Sequence, residues 1–434
     1  MNDLLAVTVV VATFVFIVRG TEVRLALLVG GAVLALASGK PDSWFNEFAA
    51  SMSQAGLLTV ILPAIGFTTV IKLAGCDRHL VKLVVGPLLS LRAVLVPAAM
   101  LGTLVLSIAI TSAAGITAAV GVVLIPAMIA MGIHPAMAAA AVIAGTWGSV
   151  FSPGSPHPAL IGQITGASVV DIIVAHLRAS VPAALAAAMA LYLVARIRRE
   201  DRGWTPELAG TAPVSISPSA AASGETTSVA RALMPLLPLL MLVITVPQLR
   251  LTPALLPEGL TVLQAMVAGT VITALVARLS PAKVVKSFFA GMGDAYGGVI
   301  GIIIAAGVFI GGLNAIGAIG HLIDVLQEAQ SAAPIAAFAG TFGIAALSGS
   351  GDAAALAFNK AMLPHAEALG VAPVDLGNIA WLAGGLGRGM SPVAAATAVA
   401  AGYAGVSVFE IAKRSAIPML LGAVVVVVIL GFLK

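Results

Sequence analysis

The stretch Pro126-Ala-Met-Ile-Ala-Met-Gly-Ile-His-Pro135 returns 238 residues later as Pro364-His-Ala-Glu-Ala-Leu-Gly-Val-Ala-Pro373. Working outward, Ser152-Pro153 returns as Ser391-Pro392 at an offset of 239, Asp171 as Glu410 at 239, and Pro182 as Pro418 at 236. The markers keep nearly one register, so the chain is written twice. A duplicated hydrophobic chain interrupted by Gly and Pro is the build of many secondary transporters, which bind their ligand where the two copies meet.

Composition agrees. The chain is 60% hydrophobic and 9% charged, with a mean hydropathy of +1.10. A soluble domain is about 25% charged. The reading is therefore an all-α polytopic membrane protein embedded in a lipid bilayer. Leu4 to Val18 lacks the basic start and small-residue cleavage site of a signal peptide, and reads as the first span. The single Cys76 excludes an internal disulfide and a multi-Cys metal site. The net charge of +4 carries no partner information, because basic residues in membrane proteins report topology.

Apolar spans read as 4–18, 25–38, 56–75, a long region 94–165, and 170–196. The second copy reads 231–248, 258–279, 292–315, a region 334–404, and 410–433. This divides the chain into a first repeat 1–196, a polar linker 197–230 and a second repeat 231–434. Each long region holds two devices. Copy one has a re-entrant helical hairpin over about 94–132, with its tip at Thr111-Ser-Ala-Ala-Gly115, then a broken helix over about 135–165, interrupted from Gly148 to Pro156. Copy two has a hairpin over about 334–369, with its tip at Leu347-Ser-Gly-Ser-Gly-Asp352, then a broken helix over about 373–404, interrupted from Gly384 to Pro392. Clustered Gly and Pro free backbone groups, tolerated at membrane depth only against protein or a wet cavity.

Charges orient the spans. With the Arg-rich linker in the cytoplasm, Arg19, Arg24, Arg78, Lys82, Arg92, Arg278, Lys283, Lys286, Lys413 and Arg414 all fall on that side. Asp324 and Glu328 fall outside. Each copy makes five crossings, an odd number, so the repeats are inverted and the two hairpin tips approach the midplane from opposite sides.

The tips and breaks are the candidate site. Half-helix N-termini suit an anion, and freed carbonyls suit a small cation. Thr111, Ser112, Ser152, Ser155, Ser348, Ser350 and Ser391 add hydroxyls, with Gly349 and Gly351 at the second tip, although small polar residues also serve close helix packing. Arg388 lies about 15 residues, roughly 22 Å, from either end of its region. Its forked guanidinium either clamps a substrate carboxylate or pairs with Asp352. Asp352, Ser149, His157 and Gly389 are candidates for a coupling ion, sodium or a proton; a lone His is also a common structural residue. Asn359 and Asn378 read as helix bridges, Lys360 and His365 as solvated or interfacial. Asp294 matches Gln54 and reads as the interfacial start of a span. No Walker motif, zinc-protease motif or nucleophile elbow is present, so the reading is not an enzyme, and energy must come from an ion or substrate gradient. The Arg cluster 196–202 is a topology signal rather than a nucleic-acid patch, and no cofactor is expected.

Several motifs resemble the DcuC family of anaerobic four-carbon dicarboxylate carriers, within the ion transporter superfamily. They are Thr111-Ser-Ala-Ala-Gly-Ile, Gly291-Met-Gly-Asp-Ala-Tyr, Ala305-Ala-Gly-Val-Phe, Ser348-Gly-Ser-Gly-Asp, Leu386-Gly-Arg-Gly-Met-Ser-Pro and Phe409-Glu-Ile-Ala-Lys-Arg-Ser. The resemblance covers most of the chain and is strongest in copy two. It implies a scaffold and a mobile transport domain, a homodimer, elevator-type motion, and succinate, fumarate or malate as substrate, moved by exchange or with a coupled ion. The tips and breaks would then be the substrate and cation loops. Asp352 departs from the pattern, because relatives often carry Asn there. The expectation is a bacterial inner-membrane secondary transporter of a small carboxylate. The alternatives are a carrier for citrate, gluconate or an amino acid, and a cation/proton antiporter using Asp352.

Overall fold

Why the chain folds as it does is legible at its helix starts. Pro135, Pro156, Pro281 and Pro373 each occupy the first turn of a helix, where a missing N–H costs nothing. Ser112, Ser168, Ser350 and Ser407 cap helices with their hydroxyls, and Thr261 with Gln264 forms a capping box. The computed structural model describes residues 2–19, 21–205, 228–245, 259–321 and 333–433. Most of the linker, and Asp324 and Glu328, lie outside the described residues.

The first half contains α1 (Asn2–Val18), α2 (Val23–Ala37), α3 (Asp42–Met52), α4 (Ala55–Leu73), α5 (Cys76–Leu88), α6 (Leu95–Ala109), α7 (Ala113–Ala130), α8 (Pro135–Gly145), α9 (Pro156–Thr165) and α10 (Val169–Ile197). The second contains α11 (Val229–Leu233), α12 (Leu237–Ile244), α13 (Val262–Val276), α14 (Pro281–Ala295), α15 (Gly301–Ala315), α16 (Ala333–Ser348), α17 (Gly351–Met362), α18 (Pro373–Gly389), α19 (Ala395–Ala404) and α20 (Val408–Phe432). Among the described residues there is no strand. Among the described residues, seven helical stretches are long and apolar enough to cross a membrane: Ala55–Leu73, Arg92–Ala109, Ala113–Ala130, Pro135–Thr165, Val169–Ile197, Pro281–Ala315 and Val408–Phe432. The protein is a polytopic helical membrane protein.

Helix starts recur at the offset seen in the sequence: Val23 and Val262 differ by 239, Leu95 and Ala333 by 238, Pro135 and Pro373 by 238, and Val169 and Val408 by 239. Packing recurs too. α2 lies on α15 and α3 on α15, while their counterparts α13 and α14 lie on α4. A Cβ at Gly148 would run into the Leu104 carbonyl, and one at Gly387 into the Phe342 carbonyl, again 239 and 238 residues on. The main core joins α6–α10 to α16–α20, with the Ala-rich α8 and the small residues of α18 fully enclosed.

Three details differ from the sequence reading. The second interruption is shorter than Gly384–Pro392. α18 stays helical to Gly389, and only Met390–Ala394 are non-helical. The glycines there are packing surfaces: a Cβ at Gly384 or Gly387 would strike a neighbouring carbonyl. Asp294 does not start a span. It sits inside the continuous stretch Pro281–Ala315, which passes through a π-helical turn at Tyr296–Ile300. The amphipathic α3 and α5 lie outside the apolar spans because they carry charges at helical spacing. The described start of the linker is held down. Glu200 accepts the His134 N–H through its carbonyl, and Trp204 N–H donates to Gly132. The Glu200 carboxylate takes two bonds from Arg414, which also binds Glu410.

Candidate transport site

The two hairpin tips are built alike. Ser112 Oγ accepts from the Gly115 N–H at 3.2 Å, and Ser350 Oγ from the Ala353 N–H at 3.3 Å. The capping bonds use the hydroxyls as acceptors and leave their O–H groups free to donate. The tip around Gly349 adds a left-handed turn (φ +74°) seated on the second break, where a Cβ would lie 2.8 Å from the Ala394 backbone. Gly351 presses on Gly384 in the same way. Ser348 Oγ accepts from the Ser350 N–H at 3.3 Å.

The breaks also match. Ser152 Oγ accepts from the Gly154 N–H, and Ser391 Oγ from the Val393 N–H, both at 3.3 Å. Ser149, Ser152, Ser155 and Ser391 are all buried. The broken helices cross at counterpart residues: a Cβ at Gly385 would lie 3.2 Å from the Trp147 side chain, and the two residues are 238 apart. Thr111 and Ser152 line a cavity of about 30 Å³ with Thr68, Ala64 and Met266. That volume holds water but no four-carbon acid. Gly389 is filled from outside by Met419, whose Sδ would lie 2.8 Å from a Cβ there.

Charge gathers at the crossing. The Asp352 carboxylate, at the N-terminus of α17, lies 3.1 Å from His157 Nε2 and 3.8 Å from Arg388 Nη1. The His157 and Arg388 side chains are 1% and 8% exposed, whereas that of Asp352 is 53% exposed. Arg388 makes one hydrogen bond, Nη2 to the Thr146 carbonyl at 3.4 Å, and its Nε has no partner. A guanidinium carries five N–H donors, so most of its capacity is unspent. His157 Nδ1 is likewise buried without a partner. The site therefore offers a cation with free donors, a carboxylate open to solvent and a buried imidazole bonded to it. Such groups can bind a carboxylate and exchange a proton or small cation.

Both sequence readings of Arg388 meet here, since the residue sits beside Asp352 yet keeps free donors. The structure does not bring all candidates together. No hydrogen bond joins the Thr111–Ser152 cavity to the charged cluster among the described residues. Asn359 and Asn378 bridge helices, donating to the Gly377 and Ile172 carbonyls, although each keeps an unpartnered buried oxygen. Lys360 is half-buried: its ammonium binds Ser51 Oγ on α3 and reaches the Ile303 carbonyl. Sequence reasoning missed Trp381, which stacks on His157 with ring centroids 5.4 Å apart, and His176, at 5.2 Å on its edge. One aromatic and one His inside apolar helices carry no signal of their own.

Fold and site define a membrane transporter rather than an enzyme. The chain belongs to the DcuC family, the C4-dicarboxylate anaerobic carriers, whose sequence model matches residues 41–433. It is 27% identical to the anaerobic C4-dicarboxylate transporter DcuC of Escherichia coli K12 over 98% of this chain and 95% of that protein. It is 39% identical to a putative uncharacterized transporter of Haemophilus influenzae over 63% of this chain and 96% of that protein. Among solved structures, the YdaH transporter of Alcanivorax borkumensis shares the fold, with a TM-score of 0.56, 16% identity, and coverage of 96% and 98% of the two chains.

Proposed function

We propose that this protein is a secondary active transporter of four-carbon dicarboxylates in the bacterial inner membrane. The observation that carries the reading is Arg388, a buried guanidinium with unspent donors where the two broken helices cross. One substrate carboxylate would take those donors. The second would meet the N–H groups and hydroxyls of the tips and breaks. Asp352 and His157 would carry the coupling proton or sodium ion, because they are bonded to each other and only the carboxylate is open. Family membership supports succinate, fumarate and malate as the class to test. The homodimer rests on the family resemblance alone.

We also infer inverted repeats and an elevator-type movement of α6–α10 with α16–α20 against the remaining helices. The support is broken symmetry. Thr68 on α4 lines a cavity with Thr111 at the first tip. Its counterpart Gly307 on α15 faces Lys360, which lies ten residues past the second tip at Ser350. Ten residues of helix span roughly 15 Å. With the linker cytoplasmic, both tips are displaced toward the cytoplasm, which is an inward-facing arrangement.

A thermal-shift screen of purified protein against dicarboxylates, citrate, gluconate and amino acids, with and without sodium at two pH values, tests the reading. Stabilisation by four-carbon dicarboxylates is expected. The second reading, a cation/proton antiporter, is favoured by the open carboxylate of Asp352. It predicts stabilisation by the cation alone and by no organic acid.

A further inference from the structure

We propose that His176 is a positioning residue for transport, holding the first break open and fixing His157 against Asp352 through Trp381. The inference rests on the reading that His157 and Asp352 act in transport. In an uninterrupted helix the Val150 carbonyl would bind the N–H four residues on. Here the chain turns away at Ser152-Pro153, and that carbonyl is freed inside the protein. His176, fully buried on α10, supplies the missing donor: its Nε2 lies 3.1 Å from the Val150 oxygen. A carbonyl only accepts, so Nε2 carries the proton, and Nδ1 lies 3.0 Å from Ser180 Oγ, whose one O–H it shares with the His176 carbonyl, also at 3.0 Å. The ring is thus held by its Nε2 bond, with Ser180 packed against Nδ1.

The fixed ring meets Trp381 edge-on, at 5.2 Å and 87°. Trp381 in turn stacks on His157 at 5.4 Å and 20°, and His157 Nε2 reaches the Asp352 carboxylate. Arg388 binds the Thr146 carbonyl, at the start of the 3-10 turn Thr146–Phe151 that leads into the same break. The first break is therefore pinned at two carbonyls, one by the proposed substrate ligand and one by His176. Copy two lacks the device. The counterpart of His176 is Ser415, whose hydroxyl bonds only to its own helix at Ile411 and Ala412. The counterpart of His157 is Ala396. The pin is found in the copy that has an imidazole to hold.

The test compares H176F, which keeps a ring beside Trp381 but loses the Val150 bond, with H176Q, whose amide retains a donor. Succinate uptake into proteoliposomes is measured per mole of folded protein. A pinned break predicts that H176F raises KM about tenfold and that H176Q recovers most of that loss. It also predicts that adding H157A to H176F produces little further change, since the two act as one unit. Unchanged KM with only lower yield and thermal stability overturns the proposal, as do effects of H176F and H157A that simply multiply. A readout free of substrate separates failure of this inference from failure of the transport reading. With Trp44, Trp147 and Trp204 replaced by Phe, the emission of Trp381 should shift in H176F. An unshifted emission overturns the positioning role even if transport is intact. A shifted emission in a protein that moves no dicarboxylate overturns the transport reading and upholds the positioning.

Discussion

Asp352 and His157, 195 residues apart in the chain, meet at 3.1 Å and join the second hairpin to the first broken helix. The carboxylate faces outward from this bond while the imidazole is sealed. If this pair carries the coupling ion, Asp352→Asn keeps the shape of the tip and removes the charge. The expected outcome is dicarboxylate binding that persists in a thermal-shift assay, with flux that no longer responds to a sodium or proton gradient. Gradient-driven accumulation equal to that of the unaltered protein would sink the assignment.

Arg388 separates substrate binding from coupling. Charge-assisted hydrogen bonds contribute about 1.5–3 kcal/mol each. Arg388→Ala should therefore weaken succinate binding by one to two orders of magnitude, measured by titration calorimetry or uptake. Arg388→Lys should recover little of that loss, because a point charge does not reproduce the forked donor geometry. Uptake unchanged in Arg388→Ala removes the clamp.

Gly349 tests the seat of the second tip. A side chain there faces both a left-handed backbone and the Val393–Ala394 backbone within 3 Å. A non-glycine residue held in such a conformation costs about 1–3 kcal/mol before any clash. Gly349→Ala should lower the unfolding midpoint and abolish transport. Gly340→Ala, on the first arm of the same hairpin with open space around it, should be neutral or slightly stabilising. Equal midpoints for the two variants would show that the tip is not seated on the break.

Much of this was legible in the sequence, for physical reasons. Gly, Pro and Ser punctuate helices through local backbone chemistry, so the tips near Ser112 and Ser350 and the first break could be read directly. The sequence overextends the second break, because glycines pressed on a neighbouring carbonyl look like glycines that end a helix. Gly384 and Gly387 belong to the first kind. The anchor of Lys360 is not legible because its partner, Ser51, lies 309 residues away. His176 and Trp381 were invisible for the same reason: their roles exist only once α10 and α18 cross.

Arg414 holds the start of the linker. Its side chain is 4% exposed, and its guanidinium bonds both Glu200 and Glu410. Removing one partner of a buried ion pair costs about 3–5 kcal/mol, chiefly through the stranded charge. Arg414→Met should destabilise the protein markedly, and adding Glu200→Gln should recover part of the loss. A double variant no more stable than Arg414→Met would mean that the stranded carboxylate is not the cause.

The elevator proposal makes a prediction on one scaffold position. In the described arrangement Thr68 shares a cavity with Thr111 at the first tip, whereas its counterpart Gly307 faces Lys360. If the repeats exchange conformations, Thr68 must come to face the residue equivalent to Lys360. By the 238-residue offset that residue is Val122 on α7, eleven residues past Thr111 and roughly 16 Å along the helix. Cysteine pairs at 68 and 111 and at 68 and 122, each in a Cys76→Ser background, read the two states separately. The first pair should crosslink in the resting protein. The second should crosslink only when transport is permitted, and each bridge should arrest uptake until it is reduced. A second pair that never closes while succinate uptake proceeds would rule out movement on this scale. A first pair that closes without arresting uptake would show that the two blocks need not slide at all.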